Sequence, residues 1–377
     1  MSKTFNRLLN GTLAAAFSAA LLCGSGAAGA RTAVDDNGDA VELPEHVERA
    51  VVANILPLGS AAVVYSGEAK RVVGMHPASL SAAAGGLTGR FYPDALQTPT
   101  GFIQGANLNI ESLLALKPDV VLVNAPDRRM LERVRAAGLT AFGVSPTKWN
   151  YDVVQTFTGW VNALEAVFPD GKAKGEFLKS EMRRAADLVA SRVKDLPESE
   201  KPSVLFVVRT DGRQLVVSGR RFFGESWCAL AGAKNAAHGI AAENANAAVT
   251  MESVYALNPE VVLLTNFTPL SPADLYAGRD AGRDWSHVKA VAGKAVHKMP
   301  LGVYRTFTPS LDAPVTLVWL AKTLHPARFA DVDVRAWAKD YYKKGFGLEL
   351  TDADLERMFS PDARAAKNAS TNVKSGR

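Results

Sequence analysis

Residues 110–124 read IESLLALKPDVVLVN and residues 251–265 read MESVYALNPEVVLLT, identical at eight of fifteen positions at a constant offset of 141 residues. Each copy holds a short helical run, a polar break around a proline (Lys117-Pro118-Asp119, Asn258-Pro259-Glu260), and a continuous run of valine and leucine. Such an unbroken apolar run suits a strand buried on both faces of a parallel sheet. Helix followed by buried strand is the unit of an α/β fold. A chain that carries this unit twice is constrained to two similar lobes. Each copy also opens with a glutamate, Glu111 and Glu252, so each lobe offers one carboxylate at the same place.

The 377 residues are 47% hydrophobic and 21% charged, an ordinary globular balance, with length enough for one large or two medium cores. Lys3 and Arg7 precede a largely apolar run over 8–23, and Ala28-Gly29-Ala30 is a small-residue cleavage site. Together they read as a secretory leader cleaved after Ala30, giving a periplasmic protein. The apolar run is short for a membrane span, and no stop-transfer charges follow it. Without the leader, 41 basic residues face 38 acidic ones, too mild and too scattered an excess for nucleic acid. Cys23 follows Leu22 rather than a small residue, which favours a free protein over a lipid-anchored one. Cys228 is then alone, so no intramolecular disulfide forms. Its Ala-rich helical surroundings read as those of a buried, unreactive thiol.

Residues 31–155 read as an N-terminal α/β lobe, 156–198 as a linker helix, 199–360 as a C-terminal α/β lobe and 361–377 as a disordered tail. Asp36-Asn37-Gly38-Asp39 signals a hairpin turn. Strand-like and helix-like runs then alternate as far as residue 144. Residues 76–104, rich in glycine and proline, read as a long functional or mobile loop, with His76 at its start a candidate ligand contact. Residues 151–196 lack strand signal and show amphipathic spacing broken at Pro169-Asp170-Gly171. The longer piece, 172–196, would span ~35 Å at ~1.5 Å per residue, a strut that limits hinge closure. The second lobe predicts strands at 203–208, 214–218 and 295–299. Its helices follow at 225–233, 311–324, 335–344 and 352–359, the last capped by Thr351.

No G-x-S-x-G elbow, H-E-x-x-H, P-loop or G-x-G-x-x-G occurs. The six histidines are dispersed, none paired at ligand spacing. Catalysis would need a nucleophile–base pair that the sequence does not display. The expectation is therefore a protein that is not an enzyme, with no cofactor and no metal held by side chains alone. Candidate ligand contacts fall just after strands: Trp149 in the first lobe, and Arg209, Arg220, Arg221, Tyr304 and Arg305 in the second. Open α/β sheets bind ligands outside the carboxyl ends of their strands. Aromatic rings there give flat apolar contact, and arginines give forked donors for carboxylates or oxyanions. At a helix start, the dipole stabilises a carboxylate such as Glu111 or Glu252 by ~0.3–1 kcal/mol. That accounts for one acid but not for the same acid in both lobes, whereas a partner with two matching basic pockets accounts for both.

Several stretches resemble the periplasmic binding proteins of ABC importers for iron-siderophore complexes and cobalamin. They are VELPEHVERAVV (41–52), NLNIESLLALKPDVVLVN (107–124), SGRRFFGESWCALAGAKNAA (218–237) and MESVYALNPEVVLL (251–264), with WLAKTLHPARFADVDV and DYYKKGFGLELTDADLERMF near the C-terminus. The resemblance spans roughly residues 35–360. It implies a class III periplasmic-binding-protein fold: two α/β lobes joined by a long rigid backbone helix, with the ligand between them. It also implies that Glu111 and Glu252 dock onto arginines of a membrane permease. In some catecholate binders an arginine in a motif like RFFG contacts the ligand, which points to Arg221. The His/Tyr pair that coordinates iron in some relatives has no convincing counterpart here.

The expected function is that of a monomeric periplasmic solute-binding protein that captures an anionic metal chelate, foremost a ferric siderophore. It would deliver this to an ABC permease and its ATPase, and meet the membrane only through them. Cobalamin, haem, a nickel chelate, or molybdate or tungstate are the alternative cargoes. A secreted hydrolase using the interlobe cleft is the alternative of another class.

Overall fold

The computed structural model describes residues 29–210, 214–280, 282–362 and 366. The leader up to residue 28 and most of the expected tail lie outside the described residues. The first lobe is built on a parallel four-stranded sheet in the order Val72–Met75, Ala50–Val52, Val120–Asn124, Ala141–Val144. In the second lobe Ser203–Thr210 is central. Val261–Leu264 and Val296–Lys298 extend the sheet on one side in parallel, and Leu215–Val217 and Ala247–Val249 on the other in antiparallel. The predicted N-terminal hairpin pairs Ala30–Val34 with Ala40–Pro44. Its turn is closed by Asp35 Oδ1, which accepts the backbone N–H groups of Asn37 at 2.8 Å and Asp39 at 3.0 Å.

Strand residues divide by parity between cores, as a sheet buried on both faces requires. Val52 and Leu122 of the first lobe share one hydrophobic cluster with Val204, Phe206 and Leu263 of the second. Their alternates, Val51, Val121 and Val123 in one lobe and Leu205, Val207 and Leu264 in the other, enter separate satellite cores. The shared cluster passes through Val153–Val167 and Lys172–Val193, the two helices separated at Pro169–Gly171 as the spacing predicts. Leu178, Met182 and Val189 of the longer helix are buried in it. The strut is thus the middle layer of a single apolar body.

The two repeat copies follow the same hydrogen-bonding plan. Asn109 and Thr250 cap their helices by accepting the N–H of Ser112 at 3.0 Å and Ser253 at 3.4 Å. Leu113 and Val254 plug the cores. Lys117 and Asn258 take left-handed φ of 44° and 37°, which turns the chain from helix into strand. Asp119 Oδ2 then accepts the N–H groups of Glu48 and Arg49, each at 2.8 Å, and Glu260 Oε2 accepts that of Ser203 at 3.0 Å. Each carboxylate pins the repeat to the entry of its lobe's first strand.

Residues 76–104 differ from the expected loop: they contain Pro77–Gly85, Leu87–Phe91 and the 3-10 turn Pro93–Gln97. Pro77 and Pro93 stand at helix starts, where their missing N–H costs nothing; read as loop formers, they mislead. The chain also returns late to the first lobe. Leu87 N–H donates to Gly302 O at 2.9 Å, Thr88 Oγ1 to Val303 O at 3.1 Å, and Arg90 pairs with Asp354 at 3.0 Å.

Candidate functional site

A cavity of about 520 Å³ lies between the lobes at the carboxyl ends of both sheets. Asn54 and Asn124 reach it from the first lobe, just after Ala50–Val52 and at the end of Val120–Asn124. Arg209, Phe267 and Tyr304 reach it from strand ends of the second. Tyr151 stands edge-on to Phe222 and Phe223, with ring centroids 5.5 and 5.2 Å away, in the T-shaped geometry that aromatic quadrupoles favour. Trp160 completes the apolar wall, its indole N–H spent on Ser145 O at 2.9 Å.

Tyr151 adopts φ of 62°, a left-handed conformation that costs a bulky residue of order 1–3 kcal/mol. Its position is over-determined from the opposite lobe. Phe222 and Phe223 pack on its ring, Glu243 accepts its hydroxyl at 3.4 Å, and Ser226 Oγ accepts Val153 N–H at 2.9 Å just beyond it. Burial, and then the nearby Glu243 carboxylate, hold its phenol well above the usual range.

Arg209 carries the one formal charge among the described lining residues. Its Nε is buried with no hydrogen-bond partner, and its Nη2 meets Gln214 Oε1 only at 3.4 Å. Asn124 Oδ1 is likewise buried and unpaired. The backbone N–H of Asn124 donates to Asn54 Oδ1 at 2.7 Å, and Asn54 Nδ2 donates to Asp127 at 3.1 Å. A buried polar group without a partner costs about 1–3 kcal/mol; here one is a donor, Arg209 Nε, and the other an acceptor, Asn124 Oδ1. No group of three or more His, Cys, Asp or Glu side chains could hold a metal among the described residues.

The other sequence candidates separate by position. Tyr304 is buried in the cavity wall, and its hydroxyl accepts from Arg305 Nη1 at 3.3 Å. Arg305 lies behind that wall, fully buried, and donates to Asn266 O at 3.1 Å and across the lobes to Ala78 O at 2.8 Å. Arg221 is exposed and pairs with Glu243 at 2.9 Å, next to the lining residue Asn244. Arg220 is exposed, its backbone N–H on Ile240 O. Trp149 stacks outside the cavity on Gly159, where a Cβ would come within 1.9 Å of its ring. His76 caps the Pro77–Gly85 helix through Nδ1, which accepts Ala78 N–H at 3.0 Å, and does not line the cavity. Cys228 is buried, as its surroundings predict, and burial pushes its thiol up. Asn54, Asn124, Tyr151, Trp160 and Phe267 were not singled out as contacts. The strand-end rule applied to every strand would have found Asn54, Asn124 and Phe267.

Glu111 and Glu252 are exposed, and neither has an ion-pair partner among the described residues. The Thr250 hydroxyl holds the Glu252 carboxyl below its ordinary value. In the first copy the helix ends at Leu116, whose carbonyl accepts from Arg49 Nη2 at 2.7 Å, just before Ala50–Val52 begins. The helix thus ends at the amino edge of the sheet. Leu114, 42% exposed, follows Glu111 by one turn, and Tyr255 holds the same place after Glu252.

Comparison with known proteins agrees with this geometry. The profile of the periplasmic binding protein family matches residues 63–300. The chain is 29% identical over 324 residues to the molybdate-binding protein MolA of Haemophilus influenzae, covering 81% of this chain and 87% of that one. It is 23% identical over 231 residues to the uncharacterized ABC transporter substrate-binding lipoprotein YvrC of Bacillus subtilis, covering 60% and 68%. Among solved structures, a periplasmic solute binding protein from Veillonella parvula superposes with a TM-score of 0.76 at 23% identity, over 91% of this chain and 100% of that one. Molybdate-bound MolA superposes at 0.72 and 24% identity, over 85% and 99%.

Proposed function

The chain belongs to the periplasmic binding protein family, and on that premise we propose that it is the receptor of an ABC importer for an anionic metal chelate, foremost a ferric siderophore. The observation that carries this reading is Arg209, the one formal charge among the described lining residues of a cavity of about 520 Å³ that is also lined by Tyr151, Trp160, Phe222 and Phe267. That volume falls within the ~300–1,000 Å³ of small-molecule sites. The guanidinium supplies a charge-assisted hydrogen bond to an anionic oxygen. Tyr151, Trp160, Phe222 and Phe267 supply flat apolar contact of the kind a chelator's organic faces need. Among the described residues the lining offers no carboxylate, thiol or imidazole, so the reading has the metal arriving already chelated.

Trp160 in the wall makes intrinsic fluorescence the test. The mature protein is titrated with a ferric tris-catecholate, a ferric hydroxamate, haem, cobalamin, a nickel chelate, molybdate and tungstate. Saturable quenching by a ferric chelate, absent with the iron-free chelator, is expected. Quenching by molybdate or tungstate alone would replace this reading with the oxyanion one, which the identity to MolA favours.

Delivery is assigned to Glu111 and Glu252, which meet cations on a permease worked by its ATPase, with Leu114 and Tyr255 as apolar companions to each acid. Their support is the duplication itself: the same acid stands exposed at the start of the same helix in both copies, with no ion-pair partner among the described residues. Export follows from the leader, cut after Ala30, with the mature chain free and monomeric. The mass of the periplasmic form, with or without lipid, tests the anchoring.

A further inference from the structure

A lysine is buried in the second lobe with no carboxylate on it. Lys298, the last residue of Val296–Lys298, is 9% exposed. Its Nζ donates to Thr265 O at 2.9 Å, Thr268 O at 2.6 Å and Leu270 O at 2.8 Å. An ammonium has three N–H donors and here meets three acceptors. The counter-charge acting on it, Asp274, offsets burial only in part; burying such a cation is costly, and an apolar residue of like volume is often as stable or more so in such a place. What an ammonium does there, and an apolar chain cannot, is gather three carbonyls of one loop.

That loop, residues 265–270, leaves Val261–Leu264 at the carboxyl end of the sheet and carries Phe267 into the cavity wall. The carbonyl of Asn266 accepts from Arg305 Nε at 3.1 Å, so two buried cations tie four carbonyls of the loop. The Arg305 guanidinium also lies 5.3 Å from the centre of the Phe267 ring, and Tyr304 stands edge-on to that ring at 6.4 Å.

We propose that Lys298 is a positioning residue for the cavity: by gathering the backbone of residues 265–270 it fixes the Phe267 ring in the wall, and so sets the width open to the flat face of a cargo. The part of this that concerns cargo rests on the cavity being the binding site.

Lys298→Met keeps the length and apolar volume of the side chain and removes all its donors. The first arm uses no ligand. Hydrogen exchange at the amides of residues 266–270 is expected to quicken at least tenfold, with the Ser203–Thr210 strand unchanged. Native-like exchange in the loop of the folded variant overturns the proposal. The second arm follows Trp160 quenching by a ferric tris-catecholate and by molybdate. Whichever probe binds the native protein is expected to bind Lys298→Met about tenfold more weakly. In a Phe267→Ala background the same substitution should cost less than twofold, since no ring is left to place. Equal losses in both backgrounds give Lys298 a general structural role and overturn the positioning one. If neither probe binds the native protein, the cargo reading fails while the exchange arm still decides whether Lys298 holds the loop. Should Lys298→Met not fold, Lys298→Gln, with two donors restored, takes both arms.

Discussion

Replacing Arg209 with methionine separates binding from stability, because the two should move in opposite directions. In the ligand-free protein Arg209 Nε is buried and unpaired, and the contact to Gln214 is long at 3.4 Å. The side chain therefore carries a desolvation cost that its hydrogen bonds barely offset. Arg209→Met removes that cost while keeping most of the apolar stem. The ligand-free variant is expected to lose no stability and to gain up to about 1 kcal/mol. Binding should suffer. A hydrogen bond to a charged group contributes about 1.5–3 kcal/mol, or about 10- to 150-fold in Kd at ~1.4 kcal/mol per tenfold. Urea unfolding gives the first quantity, and Trp160 quenching by whichever probe saturates the native protein gives the second. A Kd changed by less than threefold, or a clear fall in ligand-free stability, would show that Arg209 serves the fold and not the cargo.

Three other perturbations follow from the same geometry. The double variant Glu111→Ala, Glu252→Ala should cut uptake in cells by more than tenfold and leave Kd within twofold; weakened binding with intact uptake would refute docking. Burial lowers the Lys298 ammonium to about 7 from 10.5. Below pH 7 both folded and unfolded chains carry the proton and the cost of burying it is complete; between about 7 and 10.5 only the unfolded chain does, so this group stabilises the fold as pH rises. The stability of the native protein should therefore gain on that of Lys298→Met as pH rises from 7, and a constant difference would contradict the assignment. In Gly302→Ala the new Cβ would lie 2.1 Å from Asp312 Oδ1 and 2.8 Å from the Tyr342 hydroxyl. Asp312 is fully buried and accepts the N–H groups of Val303 at 2.8 Å and Tyr304 at 3.0 Å, so it cannot yield. A loss of about 2–3 kcal/mol is expected from urea unfolding, and a loss under ~1 kcal/mol would mean the turn adapts.

What the sequence disclosed was whatever repeats or alternates. The duplicated segment revealed two lobes because equivalent positions repeat the same local geometry, down to the left-handed Lys117 and Asn258. The strut and its break at Pro169–Gly171 followed from helical spacing. The final helix, Asp352–Phe359, was readable from Thr351, whose hydroxyl accepts Asp354 N–H at 3.1 Å. The cavity was only partly legible. Arg209 and Tyr304 were visible as strand-end residues. Arg305 has the same signature, yet it turns inward to carbonyls of both lobes. Which side of a turn an arginine takes depends on acceptors hundreds of residues away in sequence, and Ala78 is one of these. His76 misled similarly, because an imidazole that caps a helix and one that meets a ligand look alike until the backbone around it is known. Tyr151 was hidden by its conformation: nothing in the letters announces a left-handed tyrosine held by rings from the facing lobe.

The late return of the chain to the first lobe, through Gly302, Val303 and the Arg90–Asp354 pair, bears on how cargo leaves. Halves that share one apolar interior and are stitched by neighbouring contacts of the Leu87–Phe91 helix are held against the wide swing of a loosely hinged jaw. On the proposed reading, unassisted escape should then be slow, and discharge would need mechanical work done from outside, with the two acidic corners as the proposed handles.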